Sequence, residues 1–116
     1  MSNPVVWFEV MSQDADKLRG FYSELLGWEF QTDPKLNYGR VAAGEGGIAG
    51  GIGQAQGGRG WATFYTKVPD LEGAVEKASR LGSSLLLPIQ ELPDTRIAVV
   101  TDPEGNAVGL CADPLK

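Results

Sequence analysis

Hydrophobic and polar positions along the 116 residues form one pattern written twice. Val5–Val10 is a near-continuous apolar run interrupted by Glu9, and it reads as a strand buried on both faces. Asp14 stands seven residues after Trp7, placed to cap a helix whose stripe is Leu18, Phe21, Tyr22, Leu25 and Leu26. Gly27 supplies the stop. Strands are then expected at Trp28–Thr32, Tyr38–Ala43 and Gly47–Ile52, with Asp33-Pro34 turning between the first two. The second copy opens with Trp61–Val68, and Asp70 stands seven residues after Thr63. Its helix carries Leu71, Ala74, Val75, Ala78 and Leu81 and stops at Gly82. Ser84–Gln90, Arg96–Thr101 and Ala107–Cys111 complete it, the last two joined by the turn Asp102-Pro103-Glu104-Gly105-Asn106.

The pattern predicts an α+β fold of two βαβββ modules, with curved mixed sheets around a cleft and helices outside. Module one spans 4–53, a glycine-rich linker spans 54–60 and module two spans 61–112, within a single domain over 1–116. Modules of this size are marginal alone, so they are expected to pack as a unit.

Charge and composition narrow the chemistry. The formal net charge is −5, and no basic cluster exists to neutralise phosphates, so nucleic acid is not an expected partner. There is no histidine, which removes the commonest general base near neutral pH, imidazole metal ligation and the Ser-His-Asp and Cys-His arrangements. The single cysteine suits a reducing compartment. No basic-then-apolar leader and no run long enough to span a bilayer is visible, so a cytoplasmic protein without a membrane partner is expected.

Three segments carry a resemblance. Phe21-Tyr22 with Leu25-Leu26-Gly27-Trp28, then Val68-Pro69-Asp70-Leu71, then Asp102-Pro103-Glu104-Gly105-Asn106 resemble the vicinal oxygen chelate superfamily over nearly the whole chain. That superfamily includes glyoxalase I, extradiol dioxygenases, fosfomycin-resistance proteins and bleomycin-binding proteins. The resemblance implies the two-module fold and a homodimer. In its metal-dependent members, ligands come from the first and last strands of each module. Carried over by spacing, those positions are Trp7, approximately Gly50, Thr63 and Gly109. None has a side chain suited to a tight divalent site, so no metal and no cofactor are expected.

Strand alternation places Trp7, Glu9 and Met11 on one face, with Val6, Phe8 and Val10 turned toward the helix. Thr63, Tyr65 and Lys67 share a face in the second module, as do Gly109 and Cys111 on the last strand. The candidate ligand-binding residues are therefore Trp7, Glu9, Thr63, Tyr65 and Cys111, with Glu9 the candidate acid or base. Each has a plainer reading. Glu9 can be ion-paired with Lys67 or Arg40, or hydrated at a cleft mouth. Trp7 can stack on a ligand or fill the core. Tyr65 can satisfy its hydroxyl on backbone, and Cys111 can be an inert core thiol. Gly44-Glu45-Gly46-Gly47-Ile48-Ala49 matches a dinucleotide fingerprint only formally, because no helix follows to hold a pyrophosphate.

Three functions remain in view. The first is metal-free binding of a small, partly apolar molecule. The second is a lyase or isomerase with Glu9 as base and Tyr65 polarising a carbonyl. A non-catalytic dimerisation module is the third possibility.

Overall fold

A computed structural model describes residues 3–57 and 59–115. The fold is α+β, with eight strands and two helices among the described residues, in the order βαβββ twice. The elements are β1 (Val5–Ser12), α1 (Ala15–Leu26), β2 (Phe30–Asp33), β3 (Tyr38–Val41), β4 (Gly50–Gln54), β5 (Trp61–Lys67), α2 (Leu71–Arg80), β6 (Leu85–Glu91), β7 (Arg96–Thr101) and β8 (Ala107–Cys111). The chain gathers into two compact units, Phe8–Ala62 and Met1–Trp7 with Thr63–Lys116. The expected linker, 54–60, contains Gly58, which lies outside the described residues.

In the Phe8–Ala62 unit the strand order is β2-β3-β4-β1. β1 and β4 run parallel, while β2/β3 and β3/β4 are antiparallel. Asp14 caps α1, its carboxylate accepting from the Lys17 N–H at 3.2 Å. Gly27 ends the helix with φ +73°, a conformation that costs glycine nothing.

Several expectations fail in this unit. Trp28 stands outside β2 and joins an aromatic cluster, stacking on Tyr22 at 5.5 Å and meeting Phe8 at 5.3 Å. The glycines of 44–47 form a turn, with Gly47 N–H donating to Gly44 C=O at 3.0 Å and Gly46 at φ +75°. β4 therefore begins at Gly50, later than Gly47, and extends to Gln54 through pairing with Ser12. β1 is not buried on both faces. Trp7 is its buried residue and the others are half-buried or exposed.

The expected stripe of α1 also fails. Its buried residues are Ala15 and Arg19, while Phe21 and Leu25 are 54% and 62% exposed. Arg19 occupies the inner face because its guanidinium finds acceptors there. It donates to Ile52 C=O at 3.0 Å, Asn37 Oδ1 at 2.7 Å and Asp16 Oδ1 at 2.5 Å. Gly39 leaves room for the aliphatic stem, since a Cβ there would lie 2.5 Å from Arg19 Cδ. Gln54 completes the clamp, accepting from Ala15 N–H at 3.0 Å and donating to Gln13 C=O at 2.6 Å.

In the second unit the order is β5-β8-β7-β6, with β5/β8 parallel and the other pairs antiparallel. Asp70 caps α2 by accepting from Gly73 N–H at 3.0 Å. Here the sequence pattern largely holds. Leu71, Val68 and Ala98 form a buried cluster, with Ala74, Val75, Ile89 and Leu110 packed against it. Leu81 is the exception, 73% exposed beyond the last turn.

Candidate functional site

The candidate residues divide between the two units. In Phe8–Ala62, the parallel register sets Glu9 opposite Gly51 and Phe8 opposite Gly50. The spacing pointed approximately to Gly50, and Gly51 is the residue opposite Glu9. A Cβ on Gly50 would strike the Phe8 ring at 2.2 Å, so Gly50 belongs to the face that Phe8 shares with the aromatic cluster. A Cβ on Gly51 would instead strike the Tyr38 ring at 2.2 Å, and one on Gly53 would meet it at 2.5 Å. Because strand side chains alternate, Gly51 and Gly53 clear one face of β4 and Tyr38 lies across it.

Tyr38 is the residue that the pattern did not single out. Its hydroxyl donates to Glu9 Oε2 at 2.8 Å, and the Arg40 guanidinium carbon stands 5.3 Å from its ring centroid. Glu9 thus has a phenolic partner, and Tyr38 and Arg40 come from the same strand, β3. A signal for this existed in the sequence. Two glycines spaced by two on a strand leave a trough that a large side chain on a neighbouring strand must fill. The antiparallel register, Tyr38 opposite Gly53 and Arg40 opposite Gly51, supplies that side chain.

In the second unit Trp7, Thr63, Tyr65 and Cys111 are all buried. Tyr65 stands opposite Gly109, and a Cβ on Gly109 would lie 2.5 Å from the Tyr65 ring. The Thr63 hydroxyl donates to Ala107 C=O at 2.6 Å, tying β5 to β8. Cys111 pairs with Lys67 in the β5/β8 register and is fully buried. Loss of hydration on burial, reinforced by the charge of Asp113, pushes its thiol up to about 11, against a smaller opposing effect of Lys67. It is protonated at neutral pH, so it is a poor nucleophile there.

Of the positions to which the resemblance points for metal ligands, Trp7, Thr63 and Gly109 lie in one unit, and Gly50 with its neighbour Gly51 lies in the other. They offer an indole, backbone glycines and a hydroxyl already donating to backbone. A tight transition-metal site is built from imidazole, thiolate or carboxylate donors, and none of these side chains supplies one. Among the described residues no three Cys, Asp or Glu side chains are grouped to hold a metal ion. No described helix is long and apolar enough to cross a membrane.

Residues 7–111 match the glyoxalase-like domain family, a span covering both βαβββ repeats. The chain belongs to the glyoxalase-like family. It is 29% identical over 114 residues to the Mycobacterium bovis protein named "Putative glyoxylase CFP32", covering 90% of this chain and 43% of that one. This chain therefore spans under half the length of that curated relative. Among solved structures it is similar to a glyoxalase/bleomycin resistance protein/dioxygenase superfamily member from Vibrio splendidus 12B01. That likeness has a TM-score of 0.69 at 18% identity and covers 97% of this chain and 100% of the other. Methylmalonyl-CoA epimerase from Mycobacterium tuberculosis is also similar, with TM-score 0.61, 13% identity and coverage of 97% and 88%. Likenesses at such low identity establish the fold.

Proposed function

We propose that this glyoxalase-like protein binds a small, partly apolar molecule without a resident metal. Trp7 serves as an aromatic wall and Tyr65 as a polar anchor, with Thr63 and Cys111 completing the lining, while Glu9 is a separate candidate anchor in the Phe8–Ala62 unit. One observation carries the reading. On the closing strand of each repeat, the position where the family's metal-dependent members place a ligand is a glycine with a tyrosine ring over it. That substitution exchanges a metal-donor group for aromatic surface and a hydroxyl, which suits apolar contact with a few oriented hydrogen bonds.

The hydrogen bond from Tyr38 to Glu9 favours a second reading. A carboxylate held in one orientation can take and return a proton on carbon next to a carbonyl, as an epimerase or isomerase requires. In that reading Glu9 is the catalytic base and Tyr38 positions it.

Both readings are tested by titrating tryptophan fluorescence with metabolites, antibiotics and acyl-CoA thioesters, on protein purified without chelator. Saturable quenching at one ligand per chain, lost in Trp7→Phe, is the expected result. Stoichiometric zinc, manganese, iron or nickel by elemental analysis overturns the metal-free reading. For any ligand that is turned over, Glu9→Gln abolishes turnover and leaves binding within about threefold if Glu9 is the base.

A further inference from the structure

The failed stripe of α1 leaves an apolar surface that the proposed function does not use. With Arg19 turned inward, Leu18 and Phe21 fall on the flank of the helix, and Phe21 is 54% exposed. They do not face open solvent alone. Met11 and Ser12 from the end of β1, together with Arg59 and Gly60 from the segment before β5, face them across a groove of about 690 Å³. The far wall is held close by backbone contact, because a Cβ on Gly60 would lie 2.1 Å from the Met11 carbonyl oxygen. A side chain at position 60 would push this segment off β1 and open the groove.

The charges on this groove are unevenly committed. Lys17 and Arg59 both line it, and neither side chain makes an ion pair among the described residues. Asp14 lines it too, but its carboxylate is engaged by the Lys17 backbone N–H as the helix cap. The groove thus pairs an apolar floor of Met11, Leu18 and Phe21 with two uncommitted cations. Its volume lies within the range of small-molecule sites, roughly 300–1,000 Å³. In a chain of net charge −5, long-range attraction does not draw anions in. Recognition must therefore come from these two local charges and the apolar contact.

We infer that this groove is a binding site for a small amphipathic anion, with a sulfonate, carboxylate or phosphate set by Lys17 and Arg59 and an aryl or alkyl body on Met11, Leu18 and Phe21. It contains none of Trp7, Glu9, Thr63, Tyr65 or Cys111, so it stands or falls separately from the proposed function.

The probe is 8-anilinonaphthalene-1-sulfonate, an aromatic body carrying one anionic group, read by fluorescence and by amide chemical shifts in the intact chain. Saturable one-to-one binding is expected, with shifts at Met11, Leu18, Phe21 and Gly60. Lys17→Glu with Arg59→Glu weakens it about tenfold or more, and the uncharged N-phenyl-1-naphthylamine binds similarly weakly. The charge reversal spares the fold, since Glu three residues after an Asp cap is a favoured helix start. Phe21→Ser weakens the probe without altering its dependence on salt. Absence of saturation, or affinity in the double variant within about twofold of the parent, overturns the inference. Shifts confined to Trp7, Glu9 and Tyr65 overturn it as well, and would support the proposed function instead.

Discussion

The two repeats share a sequence pattern and hold their helices by different means. In Phe8–Ala62, α1 is fixed by a polar clamp in which buried Arg19 reaches Ile52 and Asn37 while Gln54 ties down residues 13 and 15. In the second unit α2 is fixed by apolar contact among Leu71, Val68 and Ala98. What both repeats keep is the frame, with an aspartate cap on each helix and a parallel pairing of first and last strand. Both also keep a glycine under a tyrosine on the closing strand. The frame depends on backbone geometry, which tolerates few alternatives. Helix attachment requires only that the buried face be satisfied, and hydrocarbon or hydrogen bonds can do that.

The sharpest way to break this comparison is to exchange the two means of attachment. Arg19→Met keeps volume but strands the acceptors it serves, and it should cost about 3 kcal/mol in urea unfolding. Leu71→Ala should cost a similar amount, about 3 kcal/mol, through the cavity it leaves. A stability for Arg19→Met within about 0.5 kcal/mol of the parent would show that apolar packing holds both helices.

The glycine pair provides a finer test. Gly109→Ala meets the near edge of the buried Tyr65 ring, which has nowhere to move, and should cost about 2 kcal/mol. Gly51→Ala meets the outer end of Tyr38, which can swing away. It should cost about 1 kcal/mol and break the hydrogen bond to Glu9, visible as a changed Glu9 side-chain carboxyl resonance. Equal costs with an unchanged Glu9 signal would mean that the two tyrosines are held alike.

The smallest effect concerns Cys111, and near neutral pH it should vanish. Its thiol ionises at about 11 in the folded chain, against a reference of 9.0. Folding therefore favours the protonated form. The resulting stability is complete below pH 9, and it is lost as pH rises through 11 because the unfolded chain releases its proton first. Relative to Cys111→Ala, the parent's urea midpoint should fall more steeply across that window, and thiol labelling of native protein at neutral pH should be slow. Rapid labelling of folded protein would contradict the buried, protonated thiol.

Much of the fold was legible because caps, turns and alternation are local. Arg96–Thr101 and Ala107–Cys111 coincide with β7 and β8, and Asp14, Gly27 and Asp70 cap as expected. The errors fell where one residue type serves two purposes. Gly47–Ile52 reads as one strand in sequence, yet the glycines of this stretch and its neighbours divide into a turn, a face against Phe8 and a trough beneath Tyr38. Only the pairing register separates those uses. Of the candidate site, Trp7, Thr63, Tyr65 and Cys111 are buried as a lining residue or a core residue would be. The Tyr38 partner of Glu9 was signalled only through the glycine trough of β4, because the two are 29 residues apart and meet across the sheet.

The sequence by itself determined the repeat, the α+β class and the family. These follow from residue identity and spacing along the chain. Tertiary structure alone decided that Gly51 stands opposite Glu9, that Tyr38 holds Glu9, and that Arg19 rather than Phe21 or Leu25 faces inward on α1. The physical reason is the same in each case. Hydropathy ranks residues by their average preference for water, whereas a buried guanidinium or a cleared strand face depends on which acceptors and rings the fold brings beside it.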